Sequence, residues 1–167
     1  MAERSARDLV AGRVGRPHGL DGSFHVTGSR ARLLQAVDRV RLGEEELAIE
    51  RRAGTADRPI LRLEGIATRE AAEAVRGGDL VIARDAAPPL EEGEFWAEDF
   101  PGCAVVDGER AVGTVRALLA YPSCELLEVE RDGGGAPLLV PLVDDAVREL
   151  DLEARRIDVD LAFLGEA

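Results

Sequence analysis

The sequence predicts a mainly β protein built as two small antiparallel β-barrels joined by a short linker, and three observations carry that expectation. Short apolar or β-branched stretches recur in the first half, each closed by Gly, Pro or a charged turn: "DLVAGRVG", "GSFHVTG", "DRVRLG", "ELAIERR" and "ILRLEG". That spacing fits a small barrel better than βαβ units. The second half repeats the style without repeating the sequence. Charge also changes abruptly along the chain. Met1 to Leu90 carries 15 Arg against 14 acidic residues, a net of +1, whereas Glu91 to Ala167 carries 6 Arg against 19, a net of −13. The change falls beside "RDAAPPLEEGEF". We therefore expect a first domain at residues 1–86, a linker at 87–94 and a second domain at 95–167.

The elements follow in order. After the five strands of the first half, "TREAAEAVRGG" reads as the one helix that interrupts them. Thr68 is its N-cap, Glu70 lies in its first turn, and Gly77 and Gly78 end it. "DLVIA" returns as a strand. In the second half "CAVVDGERAVGTVRALLAY" reads as a hairpin turning at Asp107-Gly108, with its second strand beginning near Val112. "ELLEVER", the loop "GGGA" and "PLLVPL" make another hairpin. "VDDAVREL" reads as a short helical turn, and "RRIDVDL" as a closing alternating strand.

Composition excludes several function classes. No run of about 18 apolar residues is present, so no membrane helix is expected. The opening "MAERSARDLVAGRVG" mixes Glu3 and Asp8 with arginines before any apolar run, unlike a secretory signal, so a cytoplasmic location with no membrane association is expected; a monomer is the separate expectation for its oligomeric state. Cys103 and Cys124 stand apart from each other and from any histidine at ligand spacing, which points to two reduced thiols and to no metal. No cofactor is expected. All 21 basic residues are arginine, which a GC-rich coding bias explains without a functional role.

Two stretches invite a chemical reading. "VGRPHGLDG", Val14 to Gly22, combines Pro17 and His18 with Gly19 and Gly22. Pro17 restricts the approach to the loop, and the glycines permit positive φ or close backbone contact. A phosphate loop of the GxxxxGK[ST] kind is absent. His18 as a general base would need a partner held by the fold. A shaped connection between strands is one reading, and an RNA contact aided by Arg13 and Arg16 is another. Asp144 and Asp145 resemble a paired-carboxylate site, but adjacent residues generally point apart, and no histidine or third acid has ligand spacing. A partner-facing or capping role suits them better than catalysis.

Three motifs, in their order and spacing, resemble one known family. "VAGRVGRPHGLDGSFHV" is similar to the opening of the RimM ribosome maturation factors, with their "HG(L/I)xG" loop between strands. "GEFWAEDFPGCAVVD…AVGTVRALL" resembles the start of that family's PRC-type barrel, and "LLVPLVDDAVRELDLEARRIDVDL" its end. The resemblance implies a translation-factor-like N-terminal barrel, a PRC-type C-terminal barrel, and a non-enzymatic role in ribosome biogenesis. Such a protein binds immature small (30S) ribosomal subunits through the basic head protein uS19 and promotes 16S rRNA processing and head assembly. Phe95 and Trp96 align with tyrosines that the family uses in subunit association, and Asp99 with a frequent family acid. Phe95, Trp96, Asp99, Asp144 and Asp145 are therefore the expected partner-binding residues. Arg13, Arg16, His18, Gly19 and Gly22 are the candidate rRNA or ribosome contacts. The strongly acidic second half agrees with a basic protein partner, since it repels phosphate and attracts cations. Two alternatives stay open: an RNA-binding module that works through the first barrel, and a small enzyme pairing His18 with Asp99 or Asp144.

Overall fold

The computed structural model describes residues 8–166, which divide into two compact units, Met1–Glu91 and Glu92–Ala167. In the first unit, strands β1 (Asp8–Pro17), β2 (Phe24–Thr27), β3 (Arg39–Leu42), β4 (Glu45–Gly54), β5 (Pro59–Leu63) and β6 (Asp79–Ala83) close into a barrel of order β1-β2-β5-β4-β3-β6. Inward positions alternate along the strands, and Leu9, Val14, Phe24, Leu61, Leu63 and Leu80 are fully buried. Closure leaves no strand edge to protect.

Helix α2 (Arg69–Ala74) lies where the sequence places it, and the Thr68 side chain accepts a hydrogen bond from the Ala71 N–H at 3.1 Å. The structure adds a second helix, α1 (Ala31–Gln35), which corrects the expectation of one. No side chain caps its N-terminus. Its stability comes from elsewhere in the chain. Leu33 and Leu34 are buried in the core, and the Arg52 guanidinium, reaching from β4, donates to the carbonyls of Leu34 and Val37 at the C-terminal end.

The second unit is a curled six-stranded sheet made of β7 (Ala104–Asp107), β8 (Arg110–Ala120), β9 (Glu125–Arg131), β10 (Leu138–Pro141), β11 (Val147–Asp151) and β12 (Arg156–Val159). The order is β10-β9-β8-β7-β12-β11. Every pairing is antiparallel except β7 with β12, where Ala104, Val105 and Val106 lie beside Arg156, Ile157 and Asp158. The mainly β class therefore holds, with a closed first barrel and a half-barrel second. Phe100, Leu127, Val129, Val140, Ile157 and Val159 form the core of this unit.

Two local expectations are revised. The first hairpin pairs Asp107 with Arg110, so β8 starts two residues before Val112 and the turn is Gly108-Glu109. Only the start of "VDDAVREL" is a turn; Val147 onward is strand, because pairing with β12 satisfies its backbone as a four-residue helix could not.

Candidate functional sites

The loop after β1 is shaped by backbone geometry. The His18 N–H donates to the Ser23 carbonyl at 2.7 Å, and the Ser23 N–H donates to Asp21 Oδ1 at 3.1 Å. Gly19 and Gly22 both have positive φ, 70° and 86°, and a Cβ on Gly22 would overlap the Ile66 carbonyl oxygen. Arg69 donates to the Gly19 carbonyl at 3.2 Å, and Asp21 pairs with Arg51 at 3.1 Å and with Arg62 at 3.6 Å. Hydrogen bonds from Ser23, aided by both arginines, hold the Asp21 carboxyl below its ordinary value. The loop is thus a braced connection whose tip carries Leu20, 80% exposed.

The candidate contact residues of this unit separate. Arg13 is engaged with Asp79 at 3.0 Å. Arg16 goes a different way, because β1 carries a bulge there. Val14 pairs with Val26 and Pro17 with Phe24, so Gly15 and Arg16 together face the single residue His25. A Cβ on Gly15 would come within 2.6 Å of the His25 carbonyl oxygen, so the bulge needs glycine. Arg16 thereby joins His25, Arg58 and Arg76 around a cleft of about 620 Å³, which Gly15, Thr27 and Gly77 also line. The His18 ring stands edge-on to His25, with centroids 5.0 Å apart. Burial, followed by the positive charges of Arg16, His18 and Arg58, lowers the His25 pKa below its ordinary 6.5. His25, Arg58 and Arg76 were not singled out in the sequence. Arg58 lies 42 residues from Arg16, and only closure of the barrel brings them together.

In the second unit Phe95 is 46% exposed and packs edge-on against the buried Phe100, with centroids 6.1 Å apart. Trp96 is half-buried and begins the short 3-10 turn Ala97–Asp99, where the Asp99 N–H donates to the Trp96 carbonyl at 3.0 Å. The Asp99 carbonyl accepts from the Cys103 thiol at 3.3 Å, and burial raises the pKa of that thiol. Cys103 and Cys124 are both free. Asp144 and Asp145 are exposed in the turn between β10 and β11. Among the described residues no three His, Cys, Asp or Glu side chains are grouped to hold a metal, and no helix is long and apolar enough to cross a membrane.

A further surface emerges from strand register. Three adjacent leucine pairs occur in the strands of the second unit, Leu118-Leu119, Leu126-Leu127 and Leu138-Leu139, and successive strand residues face opposite sides of a sheet. Leu118, Leu127 and Leu138 pack in the core, while Leu119, Leu126 and Leu139 face outward. Leu119 is opposite Leu126, and Leu139 is opposite Glu128. The doubled leucines are the signal that could have revealed this face.

Arginines neutralise only part of the acidity here. Arg148 bridges Asp107 at 2.7 Å, Asp158 at 3.0 Å and Asp160 at 3.3 Å, and Arg131 pairs with Glu166 at 2.9 Å. Among the described residues, Glu125, Glu128, Glu130, Asp144 and Asp145 have no arginine partner.

A braced, nearly neutral barrel bearing an arginine-lined cleft, followed by an acidic half-barrel with outward leucines, defines a two-unit β protein that presents binding surfaces. Family models agree on both halves: the RimM N-terminal domain matches residues 9–87, and the RimM PRC barrel domain matches residues 97–163. The chain belongs to the RimM family of ribosome maturation factors. It is 36% identical to the ribosome maturation factor RimM of Sorangium cellulosum over 155 residues, covering 87% of this chain and 90% of that one. It is 37% identical to that of Azorhizobium caulinodans over 159 residues, covering 92% and 89%. Among solved structures, the N-terminal domain of RimM from Thermus thermophilus matches 51% of this chain and 99% of its own length at 29% identity, with a TM-score of 0.44. The family is one of ribosome maturation factors and not an enzyme family, and it implies a ribosome-associated role.

Proposed function

We propose that this protein binds immature small ribosomal subunits through the basic head protein uS19, using the second unit, and thereby promotes head assembly and 16S rRNA processing. One observation carries the reading. Outward leucines and unpaired carboxylates share one face, where Leu119, Leu126 and Leu139 lie among Glu128 and Glu130. Apolar contact supplies affinity, and surrounding negative charge steers a cationic partner while repelling naked RNA. Phe95 and Trp96 serve as aromatic anchors at the start of this unit, of the kind that dominate interface energetics. Phe95 keeps one edge on Phe100 and offers the remainder. Asp99, Asp144 and Asp145 add to the acidic field.

The mechanism is thermodynamic. A factor that binds one arrangement of the subunit head more tightly than another shifts the population toward it, with no bond made or broken. Calorimetric titration of the full chain with purified uS19, alongside Trp96 fluorescence, tests the proposal. Saturable binding that weakens about tenfold in Leu126→Glu and in Trp96→Ala, with the fold intact by circular dichroism, is the expected result. Absence of uS19 binding in low salt overturns it.

A further inference from the structure

The cleft on the first barrel lies in the other unit from the proposed uS19 surface and has its own chemistry. Arg16 and Arg58 are exposed, and among the described residues neither side chain has an acidic or hydrogen-bonding partner. Most arginines of this barrel are committed, as Arg13 is to Asp79, Arg41 to Asp8 and Arg51 to Asp21. Two free guanidinium groups on one cleft therefore stand out. Arg76 adds a third, paired with the exposed Glu73 at 3.2 Å.

Backbone contacts hold these groups in place. The Gly77 N–H donates to the Val14 carbonyl at 2.8 Å and the Val14 N–H to the Gly78 carbonyl at 2.9 Å, which anchors the segment bearing Arg76 against β1. The bulge at Gly15 sets the direction of Arg16. The Thr55 and Arg58 backbones exchange hydrogen bonds at 3.1 and 3.3 Å in the turn before β5, which places Arg58. The cleft also holds the half-buried ring of His25, whereas the Val14 and Val26 side chains turn into the barrel core and contribute only their strand backbones. Its volume, about 620 Å³, falls within the range of roughly 300–1,000 Å³ usual for small-ligand clefts.

We propose that this cleft is a binding site for single-stranded RNA, in which Arg16 and Arg58 grip adjacent backbone phosphates while an unstacked base lies against the His25 ring. Arginine forks match phosphate oxygens, and cations beside an aromatic or apolar platform are the usual means of holding single strands without reading their sequence. A duplex offers no splayed base to the His25 ring, and an acidic peptide would use the arginines but not the ring. The dipole of α2 plays no part, since that helix has only six residues. The site goes beyond the uS19 reading and works independently of it, so a single protein would hold a ribosomal protein with one unit and RNA with the other.

The test is fluorescence anisotropy of a labelled ten-residue oligouridylate titrated with the full chain, at several salt concentrations. In R16Q/R58Q, affinity is expected to fall at least tenfold and the salt slope to shrink by about 1.4, from roughly 0.7 per phosphate lost. R110Q/R116Q, which removes two arginines of the second unit, is expected to bind as the parent does. His25→Ala is expected to weaken oligouridylate about tenfold but leave an abasic ribose-phosphate polymer unchanged, and His25→Phe to restore binding. Circular dichroism confirms that each variant is folded. Equal losses in the two double variants overturn the proposal, as does competition by polyglutamate as effective as competition by RNA. Because uS19 titrates separately, loss of RNA binding with uS19 binding intact distinguishes this site from the one proposed above.

Discussion

Gly22 and Gly28 both have positive φ but differ in what surrounds them. A side chain on Gly22 meets the Ile66 backbone, whereas Gly28 faces open space. Gly28→Ala is expected to cost about 1 kcal/mol from the left-handed conformation alone. Gly22→Ala adds a backbone overlap and is expected to cost about 3 kcal/mol or more, read from urea unfolding. Single-residue chemistry also sets the response to pH. Above the ordinary histidine value of 6.5, His25 is neutral in folded and unfolded chains alike. As pH falls through 6.5 the unfolded chain takes up its proton first, so stability declines until pH passes the lower folded value. His25→Gln is expected to flatten that part of the stability profile. Asp21 and Asp160 have lowered values, so their contributions are present above 3.8 and disappear as acid titrates the folded carboxylates. For Asp160 the leading cause is the Phe163 N–H, which donates to it at 2.9 Å, with Arg148 adding to it.

Elements differ in where their stability comes from. Helix α2 carries its own start signal, and Thr68→Ala is expected to cost about 1 kcal/mol through loss of one cap. Helix α1 depends on Arg52, 15 residues beyond Val37. Arg52→Ala removes two charge-assisted hydrogen bonds and is expected to cost roughly 2 kcal/mol, with faster amide exchange at Ala36. A methionine at position 52 keeps the stem but not the donors, and an equal loss there assigns the effect to hydrogen bonding. This contrast explains what could be read beforehand. Thr68, Glu70 and the two glycines mark α2 within eleven residues. Five residues with no cap cannot announce α1, because its closing group lies on a strand that only the barrel brings near.

At the scale of the whole molecule, each unit has its own core and its own charge. Fragments spanning residues 1–91 and 92–167 are expected to fold separately, each giving dispersed amide resonances that overlay those of the full chain away from the cut. A collapsed spectrum from either fragment would show that its core is not sufficient alone. Salt should weaken the binding of both units: the acidic fragment loses attraction for a basic protein as salt rises, and the cationic cleft loses attraction for RNA.

Local patterns determined much of this protein. Alternation and turn residues marked every strand described except β11, which read as a helical turn, the charge step marked the change of unit, and three ordered motifs carried the family resemblance. These features depend on neighbours within a few positions, so they are written in the chain. The tertiary structure decided which charges remain free. Arg13 and Arg16 are three residues apart and look alike in sequence, yet one is bound to Asp79 and the other turns into a cleft with Arg58. The same holds for Leu126 and Leu127, of which only the second is in the core. Pairing partners and bulges set the direction of each side chain, and both arise from contacts between distant segments that no local pattern records.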